Sequence, residues 1–273
     1  MRCHPRLPVK RERIEMSYTV YIALYSVGLF LGMLLFLEIG RRIGIGRMEK
    51  DPEGARTGLG AVEGAVFALL GLLIAFTFSG AASRLDTRRQ LVAEETNAIG
   101  TAYLRLDLLK GQAKEGLREA FRRYVSTRVA LYQKLPDIEA AKRELLKATA
   151  IQGEIWKLAV LACREEGSQP ATMLLLPALN QMIDITTTRL TAMRIHPPKV
   201  IFMMLTLLAL VSAVVAGYGM AGSKTRSWIH VVGYAAITAV TMYVILDLEY
   251  PRLGLLRVEK ADHLLAELLR SMK

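Results

Sequence analysis

The sequence predicts an all-α integral membrane protein with four transmembrane helices and a cytoplasmic helical bundle, and three observations lead to this prediction. Hydrophobic residues make up 52% of the 273-residue chain, and they are concentrated in uninterrupted runs rather than spread evenly. Four of these runs reach about 20 residues, the length of helix that crosses a bilayer. Between the second and third runs, apolar residues recur at helical spacing, without the alternation typical of strands.

The first two runs form a membrane region at residues 18–82. The run at 18–37 contains no charged residue and follows a basic leader, residues 1–17. It ends at Glu38 and a pair of arginines rather than at a small-residue cleavage site, so we interpret it as a retained anchor and not as a signal peptide. The second run covers residues 59–82.

The third and fourth runs form a second membrane region at residues 200–247. They cover residues 200–221 and 228–246. The fourth run begins at Trp228, an amphipathic residue that favours the membrane interface. Residues 248–273 are expected to form a C-terminal tail.

The middle segment, residues 83–199, is expected to be a bundle of amphipathic helices. Breaks are expected at Gly111, at Pro136 and at residues 166–170, and the last helix should end before His196-Pro197-Pro198 because proline disfavours helix in the residue before it. No proline or glycine pair interrupts residues 80–109. The second span is therefore predicted to continue as one helix into this segment.

The charge distribution predicts the orientation. The chain has a formal charge of +11, and four spans place both termini and residues 83–199 on the same side. That side holds 29 of the 36 Lys and Arg residues, or about 14 against 7 when only residues near the spans are counted. Both termini and the bundle are therefore expected in the cytoplasm, in a multi-pass protein of the plasma (inner) membrane.

The sequence contains no motif that indicates an enzyme. It has no phosphate-binding loop, nucleophile elbow or zinc-protease motif, and its four histidines and two cysteines are scattered. We therefore expect no catalytic residue, no metal site and no cofactor. Basic residues of the middle segment are interspersed with acidic ones and lack the aromatic residues that stack on bases, so nucleic acid is not an expected partner.

Two features of the second span carry alternative interpretations. Glu63 is an acidic residue inside a span, which makes it a candidate for an ion pathway; it is also close enough to the preceding loop to pair there with Arg56. Gly60, Gly64 and Ala68 follow one another at four-residue spacing, which favours a packing ridge for another helix.

Three sequence blocks carry a resemblance to a known family. They are LLGLLIAFTFSGAASRLDTRR with NAIGTAYLRL (residues 69–89 and 97–106), LPALN with Met182-Ile183-Asp184, Arg189 and His196-Pro197-Pro198 (residues 176–198), and LDLEYPRLG with Arg257 (residues 246–257). Together they resemble the bestrophin-like family of bacterial membrane proteins over roughly residues 59–260. The similarity to bestrophin anion channels themselves is more distant.

This resemblance implies a homo-oligomer in the lipid bilayer, with five copies, whose second span lines a pore for small anions such as chloride. Ala68, Leu72 and Phe76 share one helix face, so symmetric copies would form apolar rings that gate by dewetting. The alternative for each is packing against lipid or a neighbouring helix. No acidic run resembling a calcium clasp follows the fourth span, so calcium gating is not expected.

Charged residues near the span ends complete the candidate site. Three arginines are expected to concentrate anions at the cytoplasmic mouth of the pore: Arg84, Arg88 and Arg89. Charges at the cytoplasmic membrane boundary are expected to be paired and structural: Arg84, Arg88, Asp184, Arg189, Glu249 and Arg252. The alternative function is a membrane-anchored helical scaffold or sensor that transports nothing.

Overall fold

The computed structural model describes residues 9–51, 59–134, 137–166, 169–223, 227–251 and 259–272. The regular elements in these ranges are helices, which confirms the all-α prediction. They are α1 (Val9–Lys50), α2 (Leu59–Arg105), α3 (Gly111–Lys134), α4 (Ile138–Glu166), α5 (Gln169–Arg194), α6 (Lys199–Gly219), α7 (Trp228–Glu249) and α8 (Glu259–Ser271). The chain forms two compact units: a membrane unit, Tyr18–Ser83 with His196–Tyr250, and a bundle unit, which includes Arg84–Ile195 and α8.

The membrane unit contains the four predicted spans. Four described helices are long and apolar enough to cross a membrane, and they contain the four apolar runs of the sequence. The first of them extends further than expected, because α1 continues past residue 37 as far as Lys50. Residues 38–50, which lie between the first two apolar runs of the sequence, are therefore helical. An ion pair between Arg42 Nε and Glu38 Oε1, 2.9 Å apart at four-residue spacing, supports this extension.

Helices α1 and α6 approach each other closely at glycines. A Cβ atom on Gly40 would overlap the carbonyl group of Val214, and one on Gly217 would overlap the carbonyl group of Leu37. Small residues allow such backbone contact between membrane helices, where packing rather than the hydrophobic effect drives association. The ridge expected on α2 makes no such contact with another described helix, because none of the described residues outside α2 lies within 4 Å of a Cβ atom placed on Gly60 or Gly64.

Hydrogen bonds between side chains add to the packing of the membrane unit. The Tyr25 and Thr206 hydroxyls join α1 to α6. The Ser212 and Tyr234 hydroxyls, 2.6 Å apart, join α6 to α7. Each hydroxyl thereby satisfies hydrogen-bonding capacity that lipid does not satisfy.

The bundle unit begins with the second half of α2, which is one continuous helix from Leu59 to Arg105, as predicted. A 3₁₀ turn follows, and α3 starts at Gly111, whose φ of +64° lies in the left-handed region that glycine adopts without strain. Asp137 precedes α4 and accepts a hydrogen bond from the Ala140 backbone N–H at 3.2 Å, which caps that helix. Helix α5 ends at Arg194, before the two prolines, as expected.

The core of the bundle unit is formed by apolar faces of α2, α3, α4 and α5. Fully buried side chains from these helices include Ile99, Phe121, Ile155 and Leu179. Helix α8 packs on the same core with Leu265, which is also fully buried. The prediction of a simple C-terminal tail is therefore incomplete, since its last part is an amphipathic helix.

Candidate functional site

The three pore residues predicted from the sequence lie on the exposed face of α2. Leu72 is 51% exposed and Phe76 is 66% exposed, and Ala68 is exposed as well. The opposite face carries the buried residues Leu70 and Ala81, since an α-helix turns about 100° per residue. Only 6% of the apolar stretch of α2 is buried, against 28–33% for the other spans. Helix α2 is thus the span that its own chain covers least.

The three candidate mouth arginines have different surroundings. Arg88 is 9% exposed, and its guanidinium donates to the carbonyl oxygens of Ala192 at 3.3 Å and Ile195 at 3.1 Å. These carbonyls lie at the C-terminal end of α5, where a positive charge is favourable. Arg89 is exposed and lies 3.6 Å from Asp86, measured from Nη1 to Oδ1. Arg84 is partly buried and also has an interaction partner.

Acidic and amide side chains occupy the exposed face of α2 in the bundle unit. Asp86, Gln90 and Glu94 are exposed and follow one another at four-residue spacing. The Gln90 side-chain amide donates to Glu94 Oε1 at 2.8 Å. The sequence prediction assigned a role at the mouth only to the arginines of this segment. Helical spacing also places Asp86, Gln90 and Glu94 together on a helix face apart from the buried one.

A buried charge cluster connects three helices of the bundle unit. Arg128 of α3 donates from Nε to Glu95 Oε1 of α2 at 2.6 Å, and Arg189 of α5 donates to Glu95 Oε2. The side chains of Glu95, Arg128 and Arg189 are 0%, 1% and 3% exposed. Arg128 also donates to the Tyr132 hydroxyl at 2.6 Å, and both guanidinium groups lie over the Tyr132 ring, at 5.3 and 4.5 Å from its centroid.

The electrostatics of this cluster favour the charged forms of Glu95 and Arg128. Burial alone would raise the pKa of the Glu95 carboxyl, but the charges and hydrogen bonds of Arg128 and Arg189 bring that pKa below its ordinary value. Burial likewise opposes the charge on Arg128, but Tyr132 and Glu95 raise its pKa. The prediction included Arg189 as a paired charge but missed Glu95 and Arg128; a glutamate within the apolar face of α2 was the available signal.

The other predicted boundary charges are placed as follows. Glu249, at the end of α7, is fully buried, and its Oε1 lies 3.1 Å from His196 Nδ1. The His196 ring stacks on Tyr250 with centroids 4.4 Å apart. Asp184 is exposed, and Arg252 lies outside the described residues.

Glu63 lines a cavity of about 340 Å³ in the membrane unit. We call it the Glu63 cavity; its walls are Glu63, Phe67, Ala216, Gly219, Met220, His230 and Tyr234. Arg56, the alternative partner for Glu63, lies outside the described residues. Among the described residues, none forms an ion pair with Glu63.

Metal-binding side chains are dispersed over the ranges that the structure describes. No three His, Cys, Asp or Glu side chains in these ranges are grouped so that they could hold a metal ion. Cys163 is buried and free.

Comparisons with known proteins identify the family. The family model described as the Bestrophin-like domain matches residues 27–262. A bacterial bestrophin homologue from Klebsiella pneumoniae, crystallised as a tyrosine-to-alanine mutant, has a similar structure with a TM-score of 0.62 and 17% sequence identity. The match covers 88% of this chain and 97% of the homologue. No curated protein matches the sequence.

These comparisons agree with the arrangement of the helices. The family match extends over both membrane regions and the bundle, and the structural similarity extends over most of both chains. The four apolar helices are those of a membrane protein. The chain therefore belongs to the bestrophin-like family and has the bestrophin fold.

Proposed function

We propose that the chain is one subunit of a homo-oligomeric bestrophin-type channel whose pore is lined by α2. One observation carries this proposal: the span with the least burial inside its own chain exposes an apolar stripe of Ala68, Leu72 and Phe76. In a closed ring, symmetry places the same residue of every copy at the same distance from the axis. Five copies, the number that the family resemblance implies, would form three stacked rings from this stripe.

The proposed rings would control ion passage without a charged filter. Water in a narrow apolar ring loses hydrogen bonds, and an ion that enters it loses part of its hydration shell. Leu72 and Phe76 have the larger side chains and would form the narrowest constrictions, whereas Ala68 would leave a wider ring. The two larger residues are therefore the proposed gate.

We propose small anions such as chloride as the permeant ions. Residues 84–195 contain 18 basic and 13 acidic residues, and a net positive surface raises the local concentration of anions. Arg84 and Arg89 are the arginines proposed to act at the mouth. Because Arg88 is bound to the end of α5, we assign it a structural role in place of a role at the mouth.

A cation channel is the second candidate, and the exposed face of α2 in the bundle unit favours it. Asp86 and Glu94 lie on that face and would attract cations if it lined the conducting path. The two candidates predict opposite signs of the reversal potential in a salt gradient. Charge-reversal of Arg84 and Arg89, compared with neutralisation of Asp86 and Glu94, assigns the residues responsible.

The proposed topology places both termini and the bundle in the cytoplasm. The excess of Lys and Arg on that side supports it. No residue has a catalytic role in this proposal, and its partners are other copies of the chain, the lipid bilayer and the permeant ions.

The experiment that tests the proposal combines the size of the oligomer with its conductance. Native mass spectrometry of the purified protein gives the number of subunits, and planar-bilayer recordings in a tenfold potassium chloride gradient give the sign of the permeant ion. A ring of identical subunits that conducts supports the channel. A monomer or dimer without conductance supports the membrane-anchored scaffold instead.

A further inference from the structure

The Glu63 cavity lies between three spans of the membrane unit and is not part of the proposed pore face. Glu63 and Phe67 come from α2, Ala216 and Gly219 from the end of α6, and Tyr234 from α7. Its volume of about 340 Å³ falls in the range of small-molecule sites, roughly 300–1,000 Å³. Like such sites, it has mostly apolar walls and few polar groups.

The cavity positions a carboxylate at its wall. The Glu63 carboxylate lies against Gly219, and a Cβ atom on Gly219 would overlap it. A glycine at this position therefore makes the room that the carboxylate occupies. A carboxylate inside a span is costly unless a positive group compensates it, and none of the described residues forms an ion pair with it.

Two further features of the walls also favour positive charge. Helix α6 ends at Gly219, and the C-terminal end of a helix carries partial negative charge. The rings of Phe67 and Tyr234 pack edge to face with centroids 5.8 Å apart, and aromatic faces attract cations. The Tyr234 hydroxyl bonds to Ser212 at 2.6 Å, which holds its ring in place.

The same features select an organic cation over a metal ion. A bare metal ion needs several ligands, whereas the described residues that line the cavity offer one carboxylate, Glu63, and one imidazole, His230. An ammonium group with carbon substituents needs one counter-charge together with apolar and aromatic walls. We propose that the Glu63 cavity binds a small organic ammonium group, held by the Glu63 carboxylate and by the rings of Phe67 and Tyr234.

This ammonium group has two chemical sources, a soluble amine and the ethanolamine headgroup of a lipid. For the soluble source, the assembled full-length protein is placed in nanodiscs of phosphatidylglycerol and titrated calorimetrically with tetramethylammonium chloride or ethanolamine hydrochloride, with sodium chloride as the reference salt. For the lipid source, native mass spectrometry compares phosphatidylethanolamine and phosphatidylglycerol retained by the protein. Saturable binding in the first arm, or selective retention in the second, identifies the source.

The variants separate the charge, the ring and the hydroxyl. Glu63→Gln removes the charge and is expected to weaken binding at least tenfold, while Glu63→Asp keeps the charge. Tyr234→Phe keeps the ring and is expected to bind within about twofold of the unmodified protein, whereas Tyr234→Leu should bind clearly more weakly. Glu38→Gln, a substitution of another acidic residue of the membrane unit that does not line the cavity, is the matched control.

The outcomes decide the proposal independently of channel activity, because each arm measures binding. Loss of binding of the soluble amine or of the lipid headgroup in Glu63→Gln but not in Glu38→Gln supports the proposal, provided that Glu63→Gln elutes as the same oligomer as the unmodified protein. Equal binding by Glu63→Gln, or no saturable binding and no headgroup preference in the unmodified protein, overturns it.

Discussion

Replacement of Glu95 by Gln tests the buried charge cluster, because it removes one negative charge and little volume. Glu95 accepts from both Arg128 and Arg189, and all three side chains are at most 3% exposed. The variant leaves two buried guanidinium groups without a counter-charge. Breaking a buried ion pair in this way costs about 3–5 kcal/mol, or about two to three and a half powers of ten in the unfolding equilibrium.

The assay follows unfolding of the bundle unit in the full-length protein in detergent. Trp156 packs against the bundle core, and the other tryptophan of the chain, Trp228, is replaced by Phe so that fluorescence reports the bundle alone. Glu94→Gln is the matched control, since Glu94 is exposed and next in sequence. We expect it to change the free energy of unfolding by less than about 0.5 kcal/mol.

A third variant distinguishes charge from packing. Replacing Glu95, Arg128 and Arg189 together by apolar residues of similar volume removes the charges from the core. A buried ion cluster is often no more stable than well-packed apolar residues, so most of the stability lost in Glu95→Gln should return. If Glu95→Gln unfolds like Glu94→Gln, the buried ion cluster does not stabilise the bundle unit through its charges.

Three further predictions use other features of the chain. Gly40→Ala should destabilise the membrane unit by about 1–3 kcal/mol in thermal unfolding, because its Cβ atom overlaps the α6 backbone; Gly46→Ala, where the space is open, is the control, and equal melting of the two contradicts the close contact. Because folding lowers the pKa of Glu95, the ionised Glu95 carboxylate should contribute its full stabilisation above about pH 4.3 and lose it as the pH falls further. The free energy of unfolding of Glu95→Gln should lack this decline, and the same pH dependence in Glu95→Gln and in the unmodified protein would contradict the prediction. In a cysteine-free background, a cysteine introduced at Ser223 should react with a thiol reagent added outside the cell, whereas a cysteine introduced at Ser168 should be protected. The reverse pattern contradicts the proposed orientation.

The elements of the fold were predictable because each is encoded locally. A span is recognised from an uninterrupted apolar run, whatever the span packs against, and such runs located all four membrane helices. Helical periodicity likewise located the bundle helices. Helix α8 was missed even though Leu264, Leu265, Leu268 and Leu269 have the spacing of an apolar helix face.

The contacts of the candidate site were less predictable because they join distant residues. Glu95 binds residues 33 and 94 positions away, and a single sequence gives no sign of such pairing. Arg88 was expected both at the pore mouth and in a structural pair, but its partners, the backbone carbonyls of Ala192 and Ile195 more than 100 positions away, could not be named from the sequence. The close glycine contact lies at Gly40 and Gly217, where the sequence offered no stronger signal than at the open ridge of α2.

The apolar stripe of α2 leads directly to the last measurement. Shortening Leu72 and Phe76 to Ala widens the proposed rings and lowers the barrier for ions. Both residues are more than half exposed, so their truncation removes little packing within the chain. Leu31→Ala with Leu35→Ala is the matched control, since these residues of α1 are 57% and 58% exposed.

The decisive measurement is chloride flux in proteoliposomes that contain equal amounts of assembled protein. We expect flux through the unmodified protein, faster flux through the Leu72→Ala, Phe76→Ala variant, and unchanged flux through the Leu31→Ala, Leu35→Ala control. Absence of chloride flux from both the unmodified protein and the α2 variant, each assembled as the same oligomer, would contradict the proposal that this chain forms an anion channel.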